Sequence, residues 1–276
     1  MEATILKDLS ATYILNEDQI NFFQKNGFIK LKQVLSEATL KYMNAIISQE
    51  VKRLNTQDLP MELRDTYAKA FLQIMNLWTK SEEVREIVFG TKLAKIAAEL
   101  LQVTGVRMYH DQALYKEPGG GHTPWHADQY YWPLVTDRAV TVWIPLQKTP
   151  LEMGPLEFSA GSQNLRTGRN KKISDESQAL LEQALKDHDY PHVIEPFDAG
   201  EVSFHLGWLF HRAGPNKTQT MRSVMTIIYM DEDMRLKTPE NENQVADWET
   251  WCPGAEVDQV VDTPLNPVIY TTKKEV

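Results

Sequence analysis

A single cysteine, Cys252, stands among 276 residues, which excludes an intrachain disulfide, a zinc knuckle and a Cys-x-x-Cys redox pair. Runs of Lys and Arg are missing too. With 29 basic against 38 acidic residues the formal net charge is −9, and an acidic surface repels phosphate backbones and anionic lipid headgroups. We therefore expect no nucleic-acid and no membrane partner. No stretch approaches the ~20 apolar residues that span a bilayer, and residues 1–19 mix acids and polar groups where a signal peptide would carry an apolar run. A cytoplasmic protein is the expectation. No period of 20–50 residues repeats and no Pro-rich or Gly/Ser-rich linker divides the chain. A hydrophobic share of 42% with 9% aromatics is enough to bury a core, so a single folded domain over 1–276 is expected.

Local pattern changes along the chain. From Ser36, a candidate N-cap, Leu40, Met43, Ile47, Val51 and Leu54 recur at the spacing of one helical face. Ser81 and Thr91 are candidate caps of two further helices, so 1–103 reads as mainly helical support. From about 104 to 230 short runs of Val, Ile, Tyr and Trp broken by Pro and Gly read as antiparallel strands. Val140, Val142, Ile144 and Leu146 alternate with Thr141 and Trp143, placing the two sets on opposite faces. Residues 222–230 read as another strand, 174–187 as a helix, and 231–276 as a loop-rich tail. Helices packed outside a compact sheet structure make the fold class α+β.

Of seven histidines, His126 is the most informative, because it sits two residues before Asp128. On a strand, positions i and i+2 face the same way, so an imidazole and a carboxylate can meet one cation. His211, in Phe210-His211-Arg212-Ala213-Gly214-Pro215-Asn216, is the natural third ligand, with His205 as its rival. Two imidazoles and one carboxylate on one side of a metal form the facial triad of non-haem Fe(II) oxygenases. Arg222 follows 11 positions after His211 at the start of an apolar strand. A guanidinium there needs an anion of matching geometry, either a dicarboxylate cosubstrate or an Asp or Glu of the chain itself.

The segment from Gln112 through Gly119-Gly120-Gly121, Trp125-His126-Ala127-Asp128 and Tyr131-Trp132 resembles the phytanoyl-CoA dioxygenase family of Fe(II)/2-oxoglutarate oxygenases. Val142-Trp143-Ile144-Pro145-Leu146, Met153-Gly154-Pro155-Leu156-Glu157, Ala160-Gly161-Ser162-Gln163, Asp198-Ala199-Gly200-Glu201-Val202 and Gly214-Pro215-Asn216 are similar to further motifs in the family's order. The likeness runs from about Asn16 to Pro267. It implies a double-stranded β-helix, a jelly-roll or cupin-like barrel flanked by N-terminal helices. It further implies Fe(II) on His126, Asp128 and His211, 2-oxoglutarate held by Arg222, and O₂ as second cosubstrate. The implied reaction hydroxylates a small molecule; desaturation, cyclisation and epimerisation by the same oxidant stay open. Two departures are Gln163, where the family often has His, and Ala213, where many members carry a hydroxyl.

Trp143 in the family borders the cosubstrate, with core packing as its alternative; Gln112 is a candidate contact of cosubstrate or substrate, with a strand-anchoring hydrogen bond as its alternative, and Thr141 is a further cosubstrate candidate. Tyr130, Tyr131 and Trp132 are candidates for the substrate wall. Thr226 shares a strand face with Arg222. Lys116 reads as an exposed lysine, His110 and His122 as structural groups or neighbours of the site, and Cys252 as a packed small residue. Met61–Trp78 and Leu165–Asp189 are where lids are expected. Two competing readings are a metal-binding module of the same fold without turnover and a cupin-like metalloenzyme independent of 2-oxoglutarate. Substrate and oligomeric state are not legible.

Overall fold

Helix starts follow the capping residues. In the computed structural model, which describes residues 1–273, Ser36 accepts from the Thr39 amide, Ser81 from Val84 and Ser174 from Ser177, each satisfying an amide that the helix leaves without a partner. Thr91 differs from expectation by one position: Gly90 is the cap residue, without a side-chain bond, and Thr91 is the first helical residue.

In chain order the elements are α1 (Ala3–Ser10), α2 (Glu17–Asn26), β1 (Phe28–Leu31), α3 (Glu37–Leu54), α4 (Thr66–Ala70), β2 (Leu72–Met75), α5 (Glu82–Val88), α6 (Thr91–Leu101), β3 (Gly105–Tyr115) and β4 (Thr123–His126). They continue as β5 (Ala139–Pro145), β6 (Leu156–Ser159), α7 (Asp175–Asp187), β7 (His192–Ile194), β8 (Val202–Leu206), β9 (His211–Ala213), β10 (Val224–Asp231), α8 (Glu242–Trp251) and β11 (Val268–Thr271). Among the described residues the larger antiparallel sheet runs β1-β8-β5-β10-β3-β11, with β2 paired to the far half of β3, and a second sheet runs β4-β9-β6-β7. Side chains of both sheets line one cavity. This is the jelly roll that the resemblance implies. No described helix is long and apolar enough to cross a membrane.

The period-two reading of β5 holds in three dimensions. Val140, Val142 and Ile144 join Val202, Phe204, Met225 and Ile227 in the core shared with α1, α3, α5 and α6. Thr141 and Trp143 face the cavity. The strand expected at 222–230 begins two residues later, because Arg222 is joined to Lys116 by an isolated bridge before regular pairing starts. The tail is not the expected loop: it contains α8, capped by Asn241, and β11, which pairs with the first residues of β3 and covers an edge that would otherwise present unpaired amides.

Asp111 is the main buried acid of the larger sheet. Its carboxylate accepts from the amides of Leu77 (2.8 Å) and Trp78 (3.1 Å), holding the turn that follows β2. Burial pushes this carboxyl up to about 7 from an ordinary 3.8, and the two amide bonds with Lys80 only partly offset it. A folded-state value above the unfolded one gives stability that is complete below about pH 4 and lost as pH rises through 7. Asp111→Asn, which keeps one acceptor and cannot ionise, is expected to flatten the decline. Urea midpoints at about pH 5 and pH 8 test this; the wild type loses up to about 1.4 kcal/mol per pH unit through this group, and an equal decline in the variant refutes the assignment.

Candidate metal centre

Strand register builds the floor of the cavity. Across β3, β10, β5 and β8 one row reads His110, Ile228, Thr141, His205 and the next reads Gln112, Thr226, Trp143, Ser203. On the facing sheet His126, His211 and Phe158 form one row across β4, β9 and β6. Neighbouring rows of one face lie two residues apart along each strand, so the polar groups of both sheets converge between them.

His126 is the last residue of β4, and Asp128 opens a short 3-10 turn rather than continuing the strand. Ala127 between them is extended (φ −126, ψ 128), so the expected same-side placement survives the strand end. Donor atoms of His126, Asp128 and His211 all lie within 4.8 Å of one another. Asp128 Oδ1 is 3.5 Å from His126 Nε2 and 3.6 Å from His211 Nε2. His126 Nδ1 lies 2.8 Å from the carbonyl of Pro124 and His211 Nδ1 3.0 Å from that of Leu209. A carbonyl only accepts, so each Nδ1 carries the proton and donates it, leaving both Nε2 lone pairs bare and turned toward the carboxylate. Such a donor set fits a divalent transition metal.

The electrostatics agree. Burial alone would raise the Asp128 carboxyl, but the imidazoles of His211, His126 and His205 outweigh it and hold the group well below the carboxylate range. Burial and the neighbouring His126 and His205 push His211 well below the ordinary imidazole value, keeping it neutral. Thr141 donates to Asp128 Oδ2 at 2.9 Å, which leaves Oδ1 facing the histidines. His205, the rival ligand, sits on the other side: its Nε2 is 3.4 Å from Oδ2, and neither ring nitrogen has the carbonyl bond that fixes the other two.

Arg222 lies in the same cavity, 2% exposed. It donates to the carbonyl of Gly154, its Nε has no partner, and among the described residues no carboxylate forms an ion pair with it. Burial brings the guanidinium down to about 10, still charged at neutral pH. The alternative of a structural ion pair with an Asp or Glu therefore finds no partner. An uncompensated buried cation is costly, and the free edge of this one, with Trp143 5.7 Å away, is suited to an incoming carboxylate. Gly154 is required here: at φ +70 its added Cβ would stand 2.3 Å from the Gly214 carbonyl oxygen.

Several expectations shift. Gln112, Trp143, Thr141, Tyr131, Trp132 and Thr226 line the cavity. Thr141 bonds Asp128, however, and Gln112 accepts from Gln73 at 2.5 Å. Tyr130 does not line it; buried behind Tyr131, its hydroxyl accepts from Asn243 at 3.0 Å. Lys116 is not exposed but fully buried, donating to the carbonyls of Gly121 (2.6 Å) and Gly214 (2.8 Å). Burial, with the charge of Arg222 adding to it, pushes Lys116 down to about 6. Gln163 holds a turn through Lys25, His122 is exposed and Cys252 is packed. Both expected lid segments reach the cavity through Tyr67, Phe71 and Ile173. Sequence reading missed Asn243, Asp247 and Trp251 of α8, although their spacing of four along one capped helix was a visible signal.

A family model described as Phytanoyl-CoA dioxygenase (PhyH) matches residues 23–224. Among solved structures, the chain is similar to the non-heme alpha ketoglutarate dependent carbocyclase SnoK from nogalamycin biosynthesis, with 21% identity, a TM-score of 0.75, and 93% of this chain and 97% of that one covered. It is also similar to the epimerase SnoN in complex with Fe3+, alpha ketoglutarate and nogalamycin RO (21% identity, TM-score 0.73, 92% and 98% covered). A third likeness is to EctD from S. alaskensis with 2-oxoglutarate and 5-hydroxyectoine (19% identity, TM-score 0.64, 84% and 83% covered). At these identities the structures share the fold.

Proposed function

The chain belongs to the phytanoyl-CoA dioxygenase family of Fe(II)/2-oxoglutarate-dependent oxygenases, and on that premise we propose that it hydroxylates a C–H bond of a small organic substrate, releasing succinate and CO₂. In this reading His126, Asp128 and His211 hold Fe(II), and Arg222 holds the distal carboxylate of 2-oxoglutarate. The bound iron, with 2-oxoglutarate and O₂, would supply the oxidising power, which no side chain of the protein has.

The chain's own residues bind, orient and exclude water. The carbonyls of Pro124 and Leu209 fix the two imidazole tautomers, and Thr141 fixes the turn of the Asp128 carboxylate. Arg222 offers a preformed anion site whose desolvation was met on folding. Trp143 walls it, and Ala213 presents a methyl to the same cavity where many family members carry a hydroxyl. Tyr67 and Phe71 from the region of α4, with Ile173 from the loop before α7, cover the cavity and would shield the reaction from solvent.

The observation that carries this reading is Arg222: a buried cation with no acid partner, in the same cavity as three metal-type donors. A module that only binds metal has no use for it, nor does a metalloenzyme independent of 2-oxoglutarate. Anaerobic addition of Fe(II) and then 2-oxoglutarate is expected to give the visible charge-transfer band of a chelated cosubstrate, and admission of O₂ to yield succinate. Metal binding without that band would leave the metalloprotein and remove the 2-oxoglutarate reading.

A further inference from the structure

We propose that Asp247, on the face of α8 that it shares with Asn243 and Trp251, anchors the substrate, and that this substrate is a small amine rather than an anionic acyl thioester. The inference rests on the oxygenase reading and extends it to a part of the chain that lies beyond the family match, which ends at residue 224.

The helix is tied into the cavity wall. Positions 243, 247 and 251 fall four apart and so lie along one side of α8, and all three line the cavity. Gln244 donates to the Tyr130 carbonyl at 3.0 Å, fixing the first turn. Opposite, pairing of β3 with β10 passes from His110–Ile228 to Met108–Tyr229, leaving Tyr109 as an extra residue. Such a bulge lets two successive side chains serve the same region. The Tyr109 hydroxyl donates to Asp247 Oδ2 at 3.0 Å, and the His110 ring packs 5.2 Å from that of Trp251. Asn266 donates to the carbonyls of Met108 and Tyr109 at 3.2 and 3.1 Å, so the bulge is held by side-chain bonds.

The Tyr109 bond fixes one oxygen of Asp247, and with the Trp251 indole as its other hydrogen-bonding neighbour the carboxylate keeps acceptor capacity for a ligand in the cavity. His110, 5% exposed, lines the same cavity with its Nδ1 without a partner. The acidic and strongly basic side chains lining the cavity are Asp128, Asp247 and Arg222. With Asp128 committed to the metal and Arg222 to 2-oxoglutarate, the charge left for the substrate is one carboxylate. No lysine lines the wall among the described residues, and the phosphates of an acyl-CoA would meet no spare cation there. A volume of about 480 Å³ holds the cosubstrate and a compact second molecule. Trp251, Tyr67 and Phe71 add aromatic faces, which attract ammonium groups. Burial pushes the Asp247 carboxyl up to about 7, the Asp128 charge adding and the Tyr109 hydroxyl and Trp251 indole offsetting part of it. An ammonium partner relieves that cost.

The test uses the Fe(II)- and 2-oxoglutarate-loaded protein without oxygen, with tryptophan fluorescence reporting binding. The probes are phenethylamine and tryptamine against phenylacetate and indole-3-acetate, with phenylacetyl-CoA as the thioester arm. Amines are expected to bind about tenfold or more tightly than the matched acids. Asp247→Asn should bring the pairs to parity, and Asp247→Lys should favour the acids, while the 2-oxoglutarate band reports that each variant is folded. Failure of both amines to bind, acids or the thioester binding as tightly, or an amine preference that survives Asp247→Asn each overturns the proposal. A wild type lacking the band would sink the oxygenase reading instead, with amine preference still readable by fluorescence.

Discussion

Arg222→Met is expected to lose 2-oxoglutarate and gain stability in the same step. The guanidinium is buried, charged and without an acid partner. Truncating one side of a buried charge-assisted pair costs about 2–5 kcal/mol, so the apparent affinity for 2-oxoglutarate should fall about 30-fold or more. Metal binding should persist, because none of the three donors touches Arg222. In the absence of cosubstrate the sign reverses: replacing an uncompensated buried cation by an apolar chain of similar volume stabilises, by about 1–4 kcal/mol in comparable cases. Melting curves of both proteins, with and without 2-oxoglutarate and a redox-inert divalent metal, measure the two effects together. A variant that melts lower than wild type without ligand, yet is still stabilised by 2-oxoglutarate, would show that Arg222 serves the fold and not the cosubstrate.

Asp128→Ala is expected to abolish metal binding at working concentrations and, with it, turnover. The carboxylate is the only anionic member of the triad and faces both Nε2 atoms at 3.5 and 3.6 Å. Thr141→Val provides the graded control. It removes only the 2.9 Å bond to Oδ2, and loss of a group that orients a ligand costs about 10–100-fold in metal affinity. Titration with Co(II), followed by its visible absorption, should therefore rank wild type above Thr141→Val, and Thr141→Val above Asp128→Ala. Equal affinities for all three would remove Asp128 from the metal site. His205→Ala belongs in the same series: a loss as large as that of Asp128→Ala would make His205 a ligand.

How far sequence reading reached depended on whether a property was local. The alternation through Val140, Val142 and Ile144 assigned both faces of β5 correctly, because side-chain direction along a strand needs only the strand itself. Ser36, Ser81 and Ser174 marked helix starts for the same reason. The His126 and Asp128 pair was legible from its spacing, although the strand stops between them. Lys116 and Tyr130 were misplaced because burial depends on what the rest of the chain lays over a residue. Gly121 and Gly214, which cover Lys116, are 5 and 98 positions away. Helix α8 was missed for another reason: it turns Asn243 and Asp247 inward, so it lacks the apolar stripe by which a buried helix face is recognised.

By itself, the sequence determined the kinds of group available to the site: two imidazoles and a carboxylate for a metal, one arginine at the head of an apolar strand, and a single cysteine unable to cross-link anything. It also marked several helix starts and the two faces of β5, since caps and periodicity act over a few residues. Only the tertiary structure decided that these groups meet, that His205 approaches Asp128 Oδ2 rather than completing the set, that Arg222 is left without an acid, and that Asp247 enters the same cavity. The reason is that contact between residues far apart in the chain is fixed by sheet register and by which surfaces exclude water, and both are properties of the whole packed molecule.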